Sequence, residues 1–346
     1  MFSFIPHSEL CIRYYHHLNP YPLFCIMNRN RYFPILIFAA VFFLIPLFIK
    51  SPYYLSILVF IGIYSITTLG LNLLMGYAGQ ISLGHGAFFG IGAYTSGILT
   101  VYYHLPISVA FIAALIITAA IAYLIGVPSL RLKGHYLAMA TLAFGEIVNI
   151  VLNAAVDLTG GPSGFGEIPR IQLGGLVLDS ELKYFYFVWI VFIIFFILTS
   201  NLIDSRVGRA LRSMHGSELA ATAMGVNVAQ LKVQVFILSA LAASVSGSLY
   251  VHFVTFISPT TCNIMFSILL VMMVVVGGMA NVWGCVLGAA LLTILPEYLR
   301  VFEDYDIIVY GFILLFIIMF LPGGLTQGIE MLYHRVRYNG SRVADK

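Results

Sequence analysis

The chain has 346 residues, of which 61% are hydrophobic and only 9% are charged, and its mean hydropathy is +0.99. Soluble globular domains contain about 25% charged residues. The composition therefore excludes a soluble globular protein and indicates a polytopic membrane protein. The formal net charge of +3 reflects the orientation of a membrane protein, because Lys and Arg accumulate on its inner side, and gives no support for nucleic-acid binding.

The first 30 residues differ from the rest because they contain histidines and prolines but no long apolar stretch. They also lack the pattern of a secretory signal peptide. Met27 is followed by Asn-Arg-Asn-Arg and then by the first apolar run. We therefore interpret residues 1–30 as a cytoplasmic N-terminal extension in which translation starts at Met27.

About ten apolar runs follow, and most approach the roughly 20 residues that a helix needs to cross a bilayer. Because backbone polar groups in hydrocarbon must be satisfied within the protein, these runs are expected to be helices. The chain is thus predicted to be an all-α polytopic membrane protein with about ten transmembrane helices within residues 31–325. The ninth run is short, which predicts a half-helix or a bent helix. The runs cover residues 33–49, 55–75, 82–103, 107–127, 136–153, 184–202, 232–256, 263–280, 284–297 and 307–321.

The basic residues predict the orientation, because Lys and Arg accumulate in loops that stay in the cytoplasm. With the N-terminus inside, 13 of the 17 Lys and Arg fall on the inner side. This asymmetry favours an even number of spans with both termini cytoplasmic, including a basic tail over residues 326–346. The inner residues are Arg13, Arg29, Arg31, Arg131, Lys133, Arg206, Arg209, Arg212, Lys232, Arg335, Arg337, Arg342 and Lys346, and the outer ones are Lys50, Arg170, Lys183 and Arg300.

The segment Gly76–Gly97, GYAGQISLGHGAFFGIGAYTSG, is rich in glycine. Small residues spaced by four let helices approach closely, which favours a packing seam. Glycines near its start can also break the helix, which at membrane depth is tolerated only where the backbone is buried or lines a cavity. The functional interpretation is that polar residues beside these breaks, Asn72, Gln80, Ser82 and His85, line part of a translocation path.

Glu146, in the fifth apolar run, is the most conspicuous ionisable residue inside such a run. Ionisable residues in membrane spans are costly and usually face the protein interior or a pathway. Two interpretations stay open: Glu146 belongs to the translocation path, or it ties helices together as a hydrogen-bonded side chain.

A basic, helix-forming stretch over residues 203–232 separates two long apolar runs. Apolar residues recur at helical spacing over 205–215, which predicts one helix with a single apolar face. Ser217 is positioned to cap a second, very short helix over 218–224, and Gly225 suits left-handed backbone after it. Two short helices on the cytoplasmic side are a suitable shape for binding another protein.

A weaker echo of the glycine pattern occurs over residues 277–295. If runs 2 to 5 and 7 to 10 form related halves, the predicted topology gives the halves opposite orientations, as in the inverted repeats of transporters.

The chain contains no phosphate-binding loop GxxxxGK[ST], so any ATP that its function uses must be bound by a partner. It also contains no HExxH and no paired His and Cys ligands, so neither a metal site nor a cofactor is expected. The four cysteines have no redox or metal-ligand spacing.

Five segments, in the same order along the chain, resemble the LivM-type permeases of branched-chain amino acid ABC importers. The resemblance extends from about residue 53 to residue 325, and this colinearity is more specific than any single motif. The segments are LGLNLLMGYAGQISLGHGAFFGIGAYTSGIL (69–99), LRLKGHYLAMATLAFGEIV (130–148), LTGGPSGF (158–165), GRALRSMHGSELAATAMGVNVAQLKVQVFILSALAASVSGSLY (208–250) and MVVVGGMANVWGCVLGAAL (273–291).

The resemblance also assigns roles within the basic stretch. Ala220 and Ala221, followed by Gly225, match the A-A-x-x-x-G core of the segment through which importer permeases contact their ATPase. Glu218 lies one position further upstream than in the widespread E-A-A-x-x-x-G form, which is similar to LivM-type sequences. The resemblance implies that these four residues, together with Arg209, couple the permease to an ATPase.

For the whole protein the resemblance implies a non-enzymatic, multi-pass permease subunit of the bacterial inner membrane, built from inverted halves. Its expected partners are two cytoplasmic ABC ATPase subunits, a homologous LivH-type permease subunit and a periplasmic or lipid-anchored amino-acid-binding protein, which would meet the outer loop 154–183. The expected substrates are leucine, isoleucine and valine, imported by alternating access.

Three alternatives stay open. Permeases for urea and short amides are similar in sequence, so the substrate could differ within the same transporter class. An ion-coupled secondary transporter would need several intramembrane carboxylates or an ion site, whereas Glu146 stands nearly alone. A membrane-embedded enzyme or scaffold is disfavoured because no catalytic constellation is present.

Overall fold

The structure is a computed structural model, and it describes residues 33–48, 51–132, 134–173, 176–299, 306–321, 323–329 and 331. The predicted extension 1–30, with its start at Met27, lies outside these residues, as does most of the predicted tail 326–346.

The described chain is mainly helical, with turns, an irregular segment after residue 163 that includes one small hairpin, and an isolated β-bridge between Phe165 and Ile257. A π-helical turn, Leu73–Tyr77, continues the second helix, and 3₁₀ turns cover Gly161–Ser163 and Pro259–Cys262. The hairpin pairs β1 (Gln172–Leu173) with β2 (Leu176–Val177), so the prediction of an all-α fold holds except at this point. The helices are α1 (Phe33–Phe48), α2 (Pro52–Asn72), α3 (His85–Val101), α4 (Ile107–Ser129), α5 (His135–Ala154), α6 (Val156–Thr159), α7 (Glu181–Asp204), α8 (Arg206–Gly216), α9 (Glu218–Ala223), α10 (Val228–Val254), α11 (Ile264–Gly277), α12 (Val282–Leu299) and α13 (Asp306–Phe320). A short helical segment also covers 324–329.

Seven helical segments among the described residues are long and apolar enough to cross a membrane: α2 with its π-turn, α4, α5, α7, α10, α11 with the preceding turn, and α12. The helices in the other three predicted runs, α1, α3 and α13, have 16, 17 and 15 residues. Helix length therefore supports seven of the ten predicted spans. The ninth run, predicted as a half-helix or a bent one, forms the 18-residue helix α12, because apolar residues continue on both sides of the predicted run.

The centre of the bundle consists of α2, α3 and α10. Most of the α2 span is buried within this single chain, whereas only 28% of the α4 and α5 spans is buried. Large side chains on α7, among them Trp189 and Phe192, complete the interior by packing beside α2. The outer faces of α4 and α5 are thus left for lipid or for another protein.

Side-chain contacts determine the relative directions of neighbouring helices. His85 bonds to Ser239 at the start of the α3–α10 contact, and Ser96 bonds to His252 further along both helices. Residue numbers rise together, so α3 and α10 run parallel. Parallel direction requires an odd number of crossings between them, and the predicted alternation supplies three, namely α4, α5 and α7.

Contacts of α2 also determine the relative directions of the two glycine-rich segments, which lie at the starts of α3 and α12. The ring of Phe60 contacts that of Phe253, and Gly70 lies against Ser239, so α2 runs antiparallel to α10 and therefore to α3. Thr68 bonds to the carbonyl of Cys285 and Asn72 to that of Asn281, a pairing that makes α2 antiparallel to α12 as well. The glycine-rich starts of α3 and α12 thus run in the same direction, and their similarity gives no support to an inverted repeat.

Glycines determine how closely the helices pack. A Cβ on Gly86 would lie 2.5 Å from Oγ of Ser267, and one on Gly90 would lie 2.7 Å from Sγ of Cys262. On the other side of the bundle, Gly284 and Gly288 of α12 meet the backbone of α11. The predicted close packing is confirmed at these glycines, because a Cβ would meet neighbouring side chains at Gly86 and Gly90 and neighbouring backbone at Gly284 and Gly288.

Candidate coupling surface and translocation path

Residues 203–232 fold into the two predicted short helices, α8 and α9, followed by the start of α10. The hydroxyl of Ser205 accepts hydrogen bonds from the backbone amides of Val207 and Gly208, which caps α8. Ser217 caps α9 by accepting from the amide of Ala220. These caps satisfy backbone amides that have no partner within a helix, so the loop is a defined structure.

Glu218 holds α9 against α10. Its carboxylate lies 2.6 Å from Nζ of Lys232, whose side chain is only 4% exposed, while that of Glu218 is 28% exposed. A buried ammonium is unfavourable without a counter-charge. The pair therefore fixes the position of α9, and Lys232, predicted only as an inner basic residue, has a structural role.

The other predicted coupling residues occupy different environments. Within α9, Ala221 lies on the buried face, whereas Ala220 is exposed. Arg209 is exposed and donates to the carbonyl of Asp204. Gly225 has a left-handed backbone with φ of +83°, and no atom lies within 4 Å of where its Cβ would be. Gly225 therefore serves the turn after α9 by its conformation and leaves open space beside it.

Two apolar side chains that the sequence analysis did not single out project from this surface. Leu219 is 82% exposed and Met224 is 85% exposed. Leu219 also lines a groove of about 1010 Å³ between the end of α4 and the start of α10, with Tyr123, Arg131 and Val226 among its other walls. Exposed apolar side chains next to a groove are typical of a protein-binding surface. The available signal was that Leu219 and Met224 are the large apolar residues in and directly after the very short predicted helix 218–224.

Helix α8 packs directly on the end of α2. The guanidinium of Arg212 lies 5.9 Å from the centre of the Tyr77 ring, within cation–π range, and donates to the carbonyl of Ile203. A Cβ on Gly79 would lie 2.9 Å from Nδ1 of His215. The short helices of the loop therefore contact the π-helical turn and the glycine break that follow α2.

Asn72 connects this turn to the start of α12. Its amide donates to the carbonyl of Asn281 at 2.9 Å, and its carbonyl accepts from the backbone amide of Ala280, also at 2.9 Å. Ala280 has a left-handed backbone with φ of +57°. The buried side chain of Asn72 thus joins two irregular segments that are more than 200 residues apart in the sequence.

His85 forms a second polar junction at the start of α3. Its Nδ1 lies 3.2 Å from Oγ of Ser82, and its Nε2 lies 2.6 Å from Oγ of Ser239 on α10. Gln80 is also buried and donates to the carbonyl of Ala78. The four predicted path residues before and at the start of α3 are therefore buried and hydrogen-bonded in the present conformation, and their role in the path stays a prediction.

Glu146 lies elsewhere, on the exposed face of α5. Ile147 and Ile150 on the same face are also exposed. The structure therefore does not place Glu146 in one cluster with the other four predicted path residues.

Comparison with known proteins is consistent with this architecture. The profile of the family described as "Branched-chain amino acid transport system / permease component" matches residues 53–318. The chain belongs to this permease family. The permease is 33% identical over 286 residues to the high-affinity branched-chain amino acid transport system permease protein LivM of Escherichia coli K12, covering 76% of this chain and 67% of that protein.

The similarity extends to further relatives. The permease is 32% identical over 286 residues to LivM of Salmonella typhimurium, with the same coverage of both chains. It is 26% identical over 290 residues to the permease protein BraD of Pseudomonas aeruginosa, covering 78% of this chain and 92% of BraD. No solved structure matches the chain. These relatives are transport permeases, so the chain is a permease component of a transport system.

Proposed function

We propose that this permease is the membrane-spanning subunit of an ATP-driven importer for leucine, isoleucine and valine. It crosses the bacterial inner membrane ten times, with both termini in the cytoplasm and the inverted halves that the family resemblance implies. The observation that supports this function best is the capped loop 203–232 with its exposed apolar side chains, because an ion-coupled secondary transporter would leave such a protein-binding surface unexplained.

A cytoplasmic ATPase subunit binds this loop, and a second ATPase binds the equivalent loop of a LivH-type permease subunit. Leu219 and Met224 insert into a groove of the ATPase, and Gly225 keeps the adjacent surface free of side chains. Glu218, Ala221 and the buried Lys232 hold α9 in position. Two large apolar side chains supply the burial that a transient interface needs.

Movement of the ATPase reaches the membrane part of the permease through α8. Arg212 contacts Tyr77, and His215 contacts Gly79, so a shift of α8 moves the end of α2. Asn72, which is hydrogen-bonded to residues 280 and 281, transmits this shift to the start of α12. A π-helical turn is a suitable site for such a movement, because single π-turns within α-helices occur frequently at functional sites. In this mechanism the irregular backbone at the end of α2 converts closure of the ATPase pair into alternating access.

The remaining partners follow from the family and from the predicted orientation. The segment 154–183, which contains the β-hairpin, faces outward and meets an amino-acid-binding protein. Asn72, Gln80, Ser82 and His85 contribute to the path when the helices around them separate. Affinity for the substrate belongs mainly to the binding protein, and this subunit provides a path with few polar groups.

The test is uptake of leucine, isoleucine and valine by cells that lack this gene, with urea uptake measured in parallel. Loss of leucine uptake, restored by the wild-type gene, supports the function. Loss of urea uptake alone assigns the same transporter class to a different substrate. Uptake that continues when the partner ATPase cannot hydrolyse ATP contradicts an ATP-driven importer.

A second test addresses the coupling surface. Leu219→Glu and Met224→Glu should abolish co-purification of the ATPase, because a buried carboxylate without a partner destabilises an interface. Met331→Glu is the matched control, since Met331 is also an exposed methionine but lies outside the loop. Normal ATPase binding by both loop variants would remove the proposed surface.

A further inference from the structure

Glu146 lies near the middle of α5, a helix long and apolar enough to cross a membrane. It is the twelfth residue of α5, so at 1.5 Å per residue it is about 16 Å from the start of the helix. The hydrocarbon core is about 30 Å thick. A carboxylate at this depth, unlike one near a helix end, cannot reach the headgroup region with its short side chain.

The face of α5 that contains Glu146 is not buried by this chain. Met139, Ile147 and Ile150 lie on the same face and are all exposed. Within the described part of the chain, no hydrogen bond or salt bridge to the Glu146 carboxylate is found. The carboxylate therefore projects outward beside exposed apolar side chains, and the half-buried amides of Asn149 and Asn153 lie one and two turns further along α5.

The exposed face of α4 differs from that of α5 in having no charged residue. The α4 span is as little buried as that of α5, at 28% in both cases. Its exposed residues include Ile112, Ile116 and Leu124, and no charged residue occurs anywhere in Ile107–Ser129. The α4 face is thus suited to lipid, whereas the α5 face is not, because a charged side chain facing lipid at the bilayer centre is strongly unfavourable.

We infer that the second permease subunit covers the Glu146 face of α5 and that Glu146 binds the α-ammonium group of the amino acid in transit between the two subunits. The inference rests on the proposed function. An ammonium group offers three N–H donors to a carboxylate, and the apolar side chain of leucine can lie against Ile147 and Ile150. Urea has no charged ammonium, so a carboxylate at this point favours amino acids among the substrates considered.

The experiment uses the complete transporter, with both permease subunits, the ATPases and the binding protein, reconstituted in proteoliposomes. Glu146→Gln removes the charge and keeps the size of the side chain. Leucine uptake per ATP hydrolysed should fall by about tenfold or more, as expected for loss of one charge-assisted contact. Glu146→Asp keeps the charge and should retain uptake within about threefold. Ile116→Gln on the lipid-facing side of α4 is the control and should leave leucine uptake per ATP hydrolysed unchanged.

The outcomes separate this inference from the proposed function. Wild-type leucine uptake by an assembled Glu146→Gln complex overturns the binding site and leaves the importer intact. Failure of Glu146→Gln to assemble with the second subunit overturns it too, because Glu146 then pairs with a cation of that subunit. Equal loss of uptake and of ATPase activity indicates a structural role and also contradicts the site. Absence of leucine uptake by the wild-type transporter contradicts the proposed function itself.

Discussion

Replacement of Glu218 by glutamine should release α9 from α10. The two charges lie 2.6 Å apart, which at an effective dielectric constant of 20 corresponds to a gross attraction on the order of 6 kcal/mol. Desolvation cancels part of this attraction. Removing one partner of a buried pair typically costs about 3 to 5 kcal/mol because the other charge stays buried without compensation. Since the Glu218 carboxylate is partly exposed, we expect Glu218→Gln to destabilise the docking of α9 on α10 by an amount near the lower end of this range, about 3 kcal/mol.

Hydrogen exchange of the backbone amides over residues 218–226 measures this loss directly. A decrease of about 3 kcal/mol in the free energy of local opening accelerates exchange by about a hundredfold. The purified permease in nanodiscs is sufficient for the measurement, so the result does not depend on the identity of the ATPase.

The control is Asp204→Asn. Arg212 and Asp204 form an ion pair at 3.6 Å, but their side chains are 44% and 51% exposed. An exposed pair contributes at most about 1 kcal/mol, so exchange over the loop should rise by less than about tenfold. Equal effects of the two substitutions, or an increase below about tenfold for Glu218→Gln, would refute the assignment of Lys232 and Glu218 as the anchor of α9.

Three further predictions concern packing and coupling. Gly70→Leu should lower the melting temperature of the permease, because even a Cβ at this position would lie 2.6 Å from the Cβ of Ala242. Gly216→Ala is the control and should leave the melting temperature unchanged, since no atom lies within 4 Å of where its Cβ would be. Tyr77→Ala should leave the ATPase bound but reduce stimulation of its activity by the loaded binding protein, while Tyr77→Phe should retain most of it because the ring still faces Arg212. Gly225→Val should weaken co-purification of the ATPase more than Gly225→Asn does, because asparagine tolerates a left-handed backbone and a β-branched residue does not. Equal binding of the ATPase by both variants would contradict the role of this turn.

The local elements of the coupling loop could be predicted because their signals are local. Ser217 before α9, apolar residues at helical spacing over 205–215 and Gly225 after α9 act within one or two turns of the chain, and the structure places both helices there. The cap that Ser205 provides for α8 was not predicted. That the protein is a helical membrane protein could also be predicted, because composition and the length of apolar runs are read directly from the sequence. The anchoring of Glu218 by Lys232 was not predicted, since it depends on how α9 folds back on α10.

The sequence by itself determined that this is a helical membrane permease with two short helices between two apolar runs, because hydrophobicity, capping and family motifs are properties of the chain. Only the tertiary structure decided which polar residues are hydrogen-bonded inside the bundle and which face outward. Asn72 and Glu146 both read as polar residues in apolar runs, yet Asn72 bonds to a turn near residue 280 whereas Glu146 points away from its own subunit. The difference arises because a residue's environment depends on the neighbours that long-range packing brings to its face of the helix.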